Sequence, residues 1–147
     1  MAVTRSARTE WNGDLVSGSG QTTFETSKLG TFDVTWRARA EAAEGKTSPE
    51  ELIAAAHATC YSMAFSNILK TAGHAPERID TRAEVDFSTD GGAQIPEIRL
   101  IVRADVPGIS EEDFAKAAQE AKEGCPVSKA LAGVESITLD AQLGGSN

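Results

Sequence analysis

The longest patterned segment of the chain is an apolar stretch near its middle, which predicts one long helix from about Ser48 to Ala72. Ser48 is a favourable N-cap residue, Pro49 suits the first helical position, and Glu51 completes a capping-box pattern. Gly73 can supply the left-handed residue that ends a helix. Apolar positions run almost all round this helix, so we expect it to be buried on most of its sides.

Strand patterns precede this helix, over residues 3–37. Asn12-Gly13-Asp14 is typical of a hairpin turn between two of these strands. The last strand is predicted from apolar positions that alternate with polar ones, which is the period of a half-buried strand: Phe32, Val34 and Trp36. This pattern places Arg37 and Arg39 at the end of that strand.

Strand and helix patterns follow one another in the C-terminal half. Two strands are predicted, one over Ile79–Ser88 and one over Glu97–Val106. The remaining elements are a helix capped by Ser110 and ending at Gly124, a short helix from Cys125-Pro126 to about Ala132, and a strand over Ser136–Leu143. Strands and helices are segregated along the chain, so we predict an α+β fold with largely antiparallel sheets.

Length and charge limit the classes of protein. The 147 residues suit a single domain over 1–147, with a frayed tail at 144–147. The net charge of −8 disfavours nucleic acid and anionic membrane surfaces as partners. No uninterrupted apolar run approaches the roughly 20 residues of a membrane span, and no apolar segment follows the first arginines as in a signal peptide. We therefore expect a cytoplasmic protein without a membrane partner.

Two cysteines are the main candidates for chemistry. Cys60 lies in the middle of the long helix, where a buried free cysteine can equally be a small core residue. Cys125 precedes a proline at a predicted helix start, a position where free N–H groups lower the pKa of a thiol, although it could also be a spacer between two helices. Together with two histidines they form a thin set for a structural zinc site. In a reducing compartment a redox-active pair is the more usual interpretation.

Five other ionisable residues lie on the long helix or just before it, and most are open to more than one interpretation. His57 shares a helix face with Cys60 and could form a Cys–His pair for acyl transfer, but it is poorly aimed at the thiol, and polar packing is favoured. Glu51 has the capping role, which leaves Glu50 in the same turn without a structural duty. Arg37 and Arg39 could both be solvated residues at a strand end.

Two motifs carry a specific resemblance. The segments are TSPEELIAAAHATCYSMA at residues 47–64 and GCPVS at residues 124–128. Their joint occurrence resembles the OsmC/Ohr family of peroxidases, over roughly residues 8–143. The sequence AAAHATC is more similar to the OsmC-like branch than to the organic-hydroperoxide-resistance branch.

The resemblance implies thiol-dependent reduction of hydroperoxides in stress defence, without a metal or organic cofactor. It implies that Cys60 is the peroxidatic cysteine, that Cys125 resolves its sulfenic acid as a disulfide, and that an external dithiol or lipoyl-type reductant reopens this bond. The family's glutamate falls on Glu50 and its arginine on Arg39, with Arg37 as a competitor. The implied fold is an intertwined OsmC-like homodimer with the long helices at its centre.

Helix geometry adds one expectation to this resemblance. Glu50 and Cys60 are ten residues apart on one helix, hence about 15 Å apart along its axis, which is too far for both to serve one substrate. We therefore predict a shared site, with Arg39 and Glu50 from one chain facing Cys60 and Cys125 of another. Two other classes remain open, namely a cysteine hydrolase that uses His57 and a non-enzymatic stress or ligand-binding protein.

Overall fold

Six strands and four helices make up the structure, a computed structural model that describes residues 1–147. Their order is β1 (Ala7–Asn12), β2 (Ser19–Phe24), β3 (Thr31–Val34), α1 (Trp36–Ala40), α2 (Pro49–Thr71), β4 (Arg78–Val85), β5 (Glu97–Asp105), α3 (Glu111–Gly124), α4 (Pro126–Ala130) and β6 (Ser136–Leu143). The predicted α+β class is confirmed. Contacts divide the chain into two units, Met1–Leu52 and Ile53–Asn147, and a single domain over 1–147 stays a prediction.

The N-terminal unit contains an antiparallel sheet in the order β1-β2-β3. The predicted hairpin is present, but its loop covers residues 13–18 and is longer than a tight turn. Asp14 holds this loop, because its carboxylate accepts hydrogen bonds from the backbone and the hydroxyl of Ser17, both at 2.8 Å. These bonds lower the pKa of Asp14.

The strand predicted to reach Arg37 ends at Val34, so that part of the prediction is wrong. Thr35 is extended, and its hydroxyl accepts the N–H of Ala38 at 3.1 Å, which caps α1. Arg37 and Arg39 therefore lie on a short helix. The alternation of apolar residues does not reveal a capping hydrogen bond. Here the Thr35 cap starts a helix where the alternation predicted the end of a strand.

The predicted start and end of α2 are confirmed. The Ser48 hydroxyl accepts the N–H of Glu51 at 3.2 Å, as an N-cap residue should. The Glu51 carboxylate accepts the Thr47 hydroxyl at 2.7 Å, and no bond to the Ser48 N–H accompanies it, so only half of the capping box forms. Gly73, with φ of +89°, follows the last turn.

Burial along α2 follows one narrow stripe. The side chains of this stripe recur every four residues and are 0% exposed: His57, Tyr61, Phe65 and Leu69. Met63, between them, is 69% exposed, so the expected burial on most sides is not met within one chain. By length and composition alone α2 could cross a membrane, contrary to the expectation from its apolar runs. Core helices pass the same test, and the buried stripe of α2 packs against protein.

The C-terminal unit has a sheet in the order β4-β5-β6, in which β4 is antiparallel and β6 parallel to β5. β5 alternates as predicted, with Ile98, Leu100, Val102 and Ala104 buried. The core joins the last three of these side chains to the apolar residues of the α2 stripe and to Phe114 of α3, whose ring meets Phe65 edge-on at 5.4 Å. The tail expected to fray is hydrogen-bonded here, since the Asn147 amide donates to the Asp80 carbonyl at 2.7 Å.

Candidate active site

The two cysteines, 65 positions apart in sequence, meet in the C-terminal unit. Both are free thiols, and their Sγ atoms are 2.9 Å apart. Cys125 is 0% exposed, whereas Cys60 is half-buried. A disulfide bond is about 2.05 Å long, so a small movement of either side chain would bring the sulfurs to bonding distance. The pair is thus placed for thiol–disulfide chemistry.

Helix α3 and helix α4 meet at Cys125. Its N–H donates to the Ala121 carbonyl at 3.0 Å and ends α3, and Pro126 after it begins α4. Tyr61, next to Cys60 on α2, donates its hydroxyl to the Ala118 carbonyl of α3 at 3.0 Å. That buried bond joins α2 to α3 one residue away from Cys60.

The two thiols differ in acidity. Burial and the hydrogen bond with Cys125 raise the pKa of the Cys60 thiol. Burial would also raise the pKa of Cys125, but hydrogen bonds from Cys60 and Ser128 outweigh it and lower that pKa. Cys125 makes no formal cap hydrogen bond, although the backbone N–H groups of Val127 and Ser128 also favour its thiolate. The contact between the two sulfurs thus shifts the two pKa values in opposite directions, up for Cys60 and down for Cys125.

His57 is bonded to Ser128 and not to Cys60. Its Nε2 lies 2.7 Å from the Ser128 hydroxyl, and its Nδ1 has no hydrogen-bond partner. Burial lowers the pKa of His57, so the ring is neutral. This geometry opposes the cysteine-hydrolase alternative, which needs a hydrogen bond between the imidazole and the thiol. Ser128 itself was not singled out from the sequence, although it stands in the GCPVS motif.

Arg39 and Glu50 form an ion pair in the N-terminal unit. Arg39 donates from Nε to both carboxylate oxygens, at 2.9 and 3.2 Å, and from Nη2 to Oε1 at 2.7 Å. The Glu50 side chain is 7% exposed and that of Arg39 31%. Arg37 instead makes exposed ion pairs with Glu41 at 3.5 Å and Glu44 at 3.1 Å. Of the two candidate arginines, Arg39 is the one joined to Glu50.

An apolar cavity of about 510 Å³ lies beside Arg39 within the same unit. Its walls are largely aliphatic and aromatic, and they include Trp11, Leu15, Val34, Trp36, Pro49 and Leu52. No group of three or more His, Cys, Asp or Glu side chains is arranged to bind a metal ion.

Comparison with known proteins gives one consistent result. A family model described as OsmC-like protein matches residues 40–140. The chain is 42% identical to the peroxiredoxin OsmC of Escherichia coli (strain K12) over 144 residues, which cover 97% of this chain and 99% of that protein. The chain belongs to the OsmC family.

Two further similarities are to proteins named for organic hydroperoxide resistance (Ohr). The chain is 34% identical over 103 residues to organic hydroperoxide resistance protein-like 1 of Staphylococcus epidermidis, covering 69% of this chain and 74% of that protein. The crystal structure of the organic hydroperoxide resistance protein OhrB of Bacillus subtilis matches with a TM-score of 0.72 at 25% identity, covering 93% of this chain and 98% of that one.

These similarities confirm the predicted family, its OsmC-like branch and its fold. They also confirm the predicted reaction class, a cysteine-based peroxidase in stress defence. The individual roles of Cys60, Cys125, Arg39 and Glu50, and the homodimer, stay predictions.

Proposed function

We propose that this protein reduces organic hydroperoxides to alcohols through Cys60 and Cys125. The Cys60 thiolate attacks the O–O bond, the alcohol leaves after taking up a proton, and Cys60 becomes a sulfenic acid. Cys125 then displaces the hydroxyl group, which leaves as water, and a Cys60–Cys125 disulfide forms. The observation that carries this proposal is the 2.9 Å distance between the two free sulfurs.

The apolar cavity beside Arg39 supports organic hydroperoxides as substrates. A hydrocarbon tail loses its contact with water there, while the planar guanidinium offers several donors to peroxide oxygens. The staphylococcal and Bacillus relatives are both named for resistance to organic hydroperoxides. Hydrogen peroxide lacks the tail, so we expect it to react more slowly than a long-chain hydroperoxide.

The acidity of the thiols supports a site shared between two chains. Burial and Cys125 raise the pKa of Cys60, yet Cys60 must lose its proton to attack a peroxide. A guanidinium close to the sulfur reverses this order, because a positive charge favours the thiolate. We assign that role to Arg39 of a second copy in a homodimer, oriented by Glu50 of the same copy. The apolar face of α2 left exposed in one chain suits the centre of such a dimer.

An external dithiol, of the lipoyl or a similar type, completes the cycle by reducing the disulfide. Its two sulfurs exchange with Cys125 and Cys60 in turn and leave as the oxidised reductant. Cytosolic conditions keep such reductants available, so the cytoplasm is the proposed location.

Stopped-flow mixing with a series of hydroperoxides, followed by counting of free thiols, tests the function. We expect both thiols to disappear with one equivalent of peroxide, and the rate to increase with the length of the hydrocarbon tail. Rates that do not depend on the tail contradict the substrate class, and thiols that survive excess peroxide contradict the reaction itself.

A further inference from the structure

The buried contact between His57 and Ser128 is not used by the proposed chemistry. The His57 side chain is 0% exposed, and Ser128 is 8% exposed. Their 2.7 Å hydrogen bond joins α2 to α4 across 71 positions of sequence. Ser128 stands three residues after Cys125, in the helical turn that begins at that cysteine. The hydrogen bond between His57 and Ser128 therefore lies next to the residue that contacts Cys60.

The unpaired nitrogen of His57 decides which way this bond is directed. The ring is neutral, so only one of its nitrogens carries a hydrogen. Nδ1 is buried without any partner. A buried donor without a partner is rarer in proteins than a buried acceptor without one, which places the hydrogen on Nε2. His57 therefore donates to the Ser128 oxygen.

This direction leaves the hydroxyl hydrogen of Ser128 free for a second acceptor. The acceptor at hand is the Cys125 sulfur, because Cys125 is the N-cap residue of α4 and Ser128 stands at N3 of the same turn. The Ser128 side chain lowers the pKa of Cys125. If His57 did not donate to the Ser128 oxygen, the hydroxyl could rotate and donate its hydrogen to the imidazole or to another acceptor instead of to Cys125. The imidazole thus holds the hydroxyl in the one orientation that serves Cys125.

We propose that His57 is a positioning residue that aims the Ser128 hydroxyl hydrogen at Cys125, so that the resolving step uses a Cys125 thiolate. The inference rests on the proposed function. In the step, the Cys125 thiolate attacks the Cys60 sulfenic sulfur, the S–S bond forms as the S–O bond breaks, and the departing hydroxide takes a proton from solvent to give water. Ser128 and His57 keep their hydrogens throughout.

Two ionisable groups that interact with Cys125 lie on α2. Cys60 touches it directly, and Tyr61 lies close enough to be affected by its charge. Burial, followed by the charge on Cys125, raises the pKa of Tyr61, which therefore stays neutral wherever the thiol titrates. A change in the titration of Cys125 in a His57 variant can thus be read as a change in the Ser128 bond.

The direct test is thiolate absorbance in chains that carry Cys60→Ser, where Cys125 is the one cysteine left. His57→Leu and Ser128→Ala should each raise the pKa of Cys125, because each removes the oriented donor. His57→Gln should keep the acidity, because its amide nitrogen can donate where Nε2 does. Ser62→Ala is the matched control: this hydroxyl also lies on α2, bonded at 2.8 Å to both Ala58 and Thr81.

The second test follows the resolving step in chains that keep both cysteines. For each tenfold loss of acidity, the thiolate fraction falls tenfold but the thiolate becomes about threefold more reactive. Disulfide formation in His57→Leu and Ser128→Ala should therefore be about threefold slower or more at the acid end of the pH profile, and faster at the alkaline end. Distorted packing would slow it at both ends.

Two results overturn the inference. One is an unchanged pKa of Cys125 in both His57→Leu and Ser128→Ala, and the other is a His57→Gln chain that behaves like His57→Leu. Ser128→Ala removes a single oxygen, so it decides the question if His57→Leu does not fold. Failure of the proposed function looks different, since the wild-type chain would then form no disulfide with peroxide while the Cys125 titration could still depend on His57.

Discussion

The two pairs of candidate residues differ in sequence separation and in the kind of contact that joins them. Cys60 and Cys125 come from distant parts of the sequence and meet in a buried region, where hydrogen bonds and desolvation set their acidity. Arg39 and Glu50 are eleven positions apart and form a charged, bidentate pair in the other unit. The sulfur pair and the positive charge that is proposed to serve it thus come from separate units. Each pair can be altered without touching the other.

The largest expected effect is on the sulfur pair. Cys60→Ser should abolish peroxide turnover, because the remaining thiol, Cys125, is 0% exposed and has no second cysteine to form a disulfide with. Cys125→Ser should consume one equivalent and then stall as a sulfenic acid or over-oxidise. Peroxide consumption with mass spectrometry of the product distinguishes the two variants. Sustained turnover by Cys60→Ser would assign the attack to another residue.

The ion pair should affect the rate of peroxide reduction, because Arg39 is proposed to favour the Cys60 thiolate. We expect Arg39→Ala and Glu50→Ala each to slow the reaction by roughly 10²-fold, the scale of losing one preorganised charged donor. The free energies of unfolding of these two variants should differ, however. Arg39→Ala removes the guanidinium that pairs with a buried carboxylate, at a cost of about 1–3 kcal/mol, whereas the Arg39 side chain in Glu50→Ala is 31% exposed and can reach water.

Arg37→Ala is the control for the ion pair. Its guanidinium is exposed and pairs with exposed carboxylates, so activity should persist and stability should stay within about 0.5 kcal/mol. A large loss of activity in Arg37→Ala, with Arg39→Ala active, would exchange the roles of the two arginines. Steady-state kinetics and thermal melts measure both quantities.

Mixed dimers test whether the two pairs meet across chains. Cys60→Ser and Arg39→Ala chains, refolded together in equal amounts, should recover about a quarter of wild-type activity, because half of the dimers hold one complete site. Confirmed heterodimers without activity would refute the shared site. So would a catalytically competent monomer.

The helix start beside Glu50 should affect stability and leave the rate unchanged. Ser48→Ala should cost about 1 kcal/mol, since the Ser48 hydroxyl accepts the Glu51 N–H. Glu51→Ala should cost less than Ser48→Ala, because its exposed carboxylate binds only the Thr47 hydroxyl. Neither change should slow peroxide reduction. A Glu51→Ala chain that lost activity while Glu50→Ala kept it would contradict the division of roles between the two glutamates.

Local signals in the sequence predicted much of this fold. Ser48, Pro49 and Ser110 marked helix starts, and the alternation along β5 marked its buried face. The pattern missed α1, because the hydrogen bond that makes Thr35 a cap does not alter the alternation of apolar residues.

The candidate site was predictable only in part. The two cysteines stood out by residue type and motif, but the partner of His57 did not, since its bond to Ser128 spans 71 positions and depends on tertiary packing. The choice of Arg39 over Arg37 likewise needed the geometry of the Glu50 carboxylate.

Intact-mass analysis after stoichiometric treatment with an organic hydroperoxide tests the central claim most directly. The account predicts the loss of two hydrogens per wild-type chain and of both free thiols, through a disulfide between Cys60 and Cys125. Peptide mapping should place the bond between these residues within one chain. An unchanged mass with two titratable thiols after excess hydroperoxide would contradict the account.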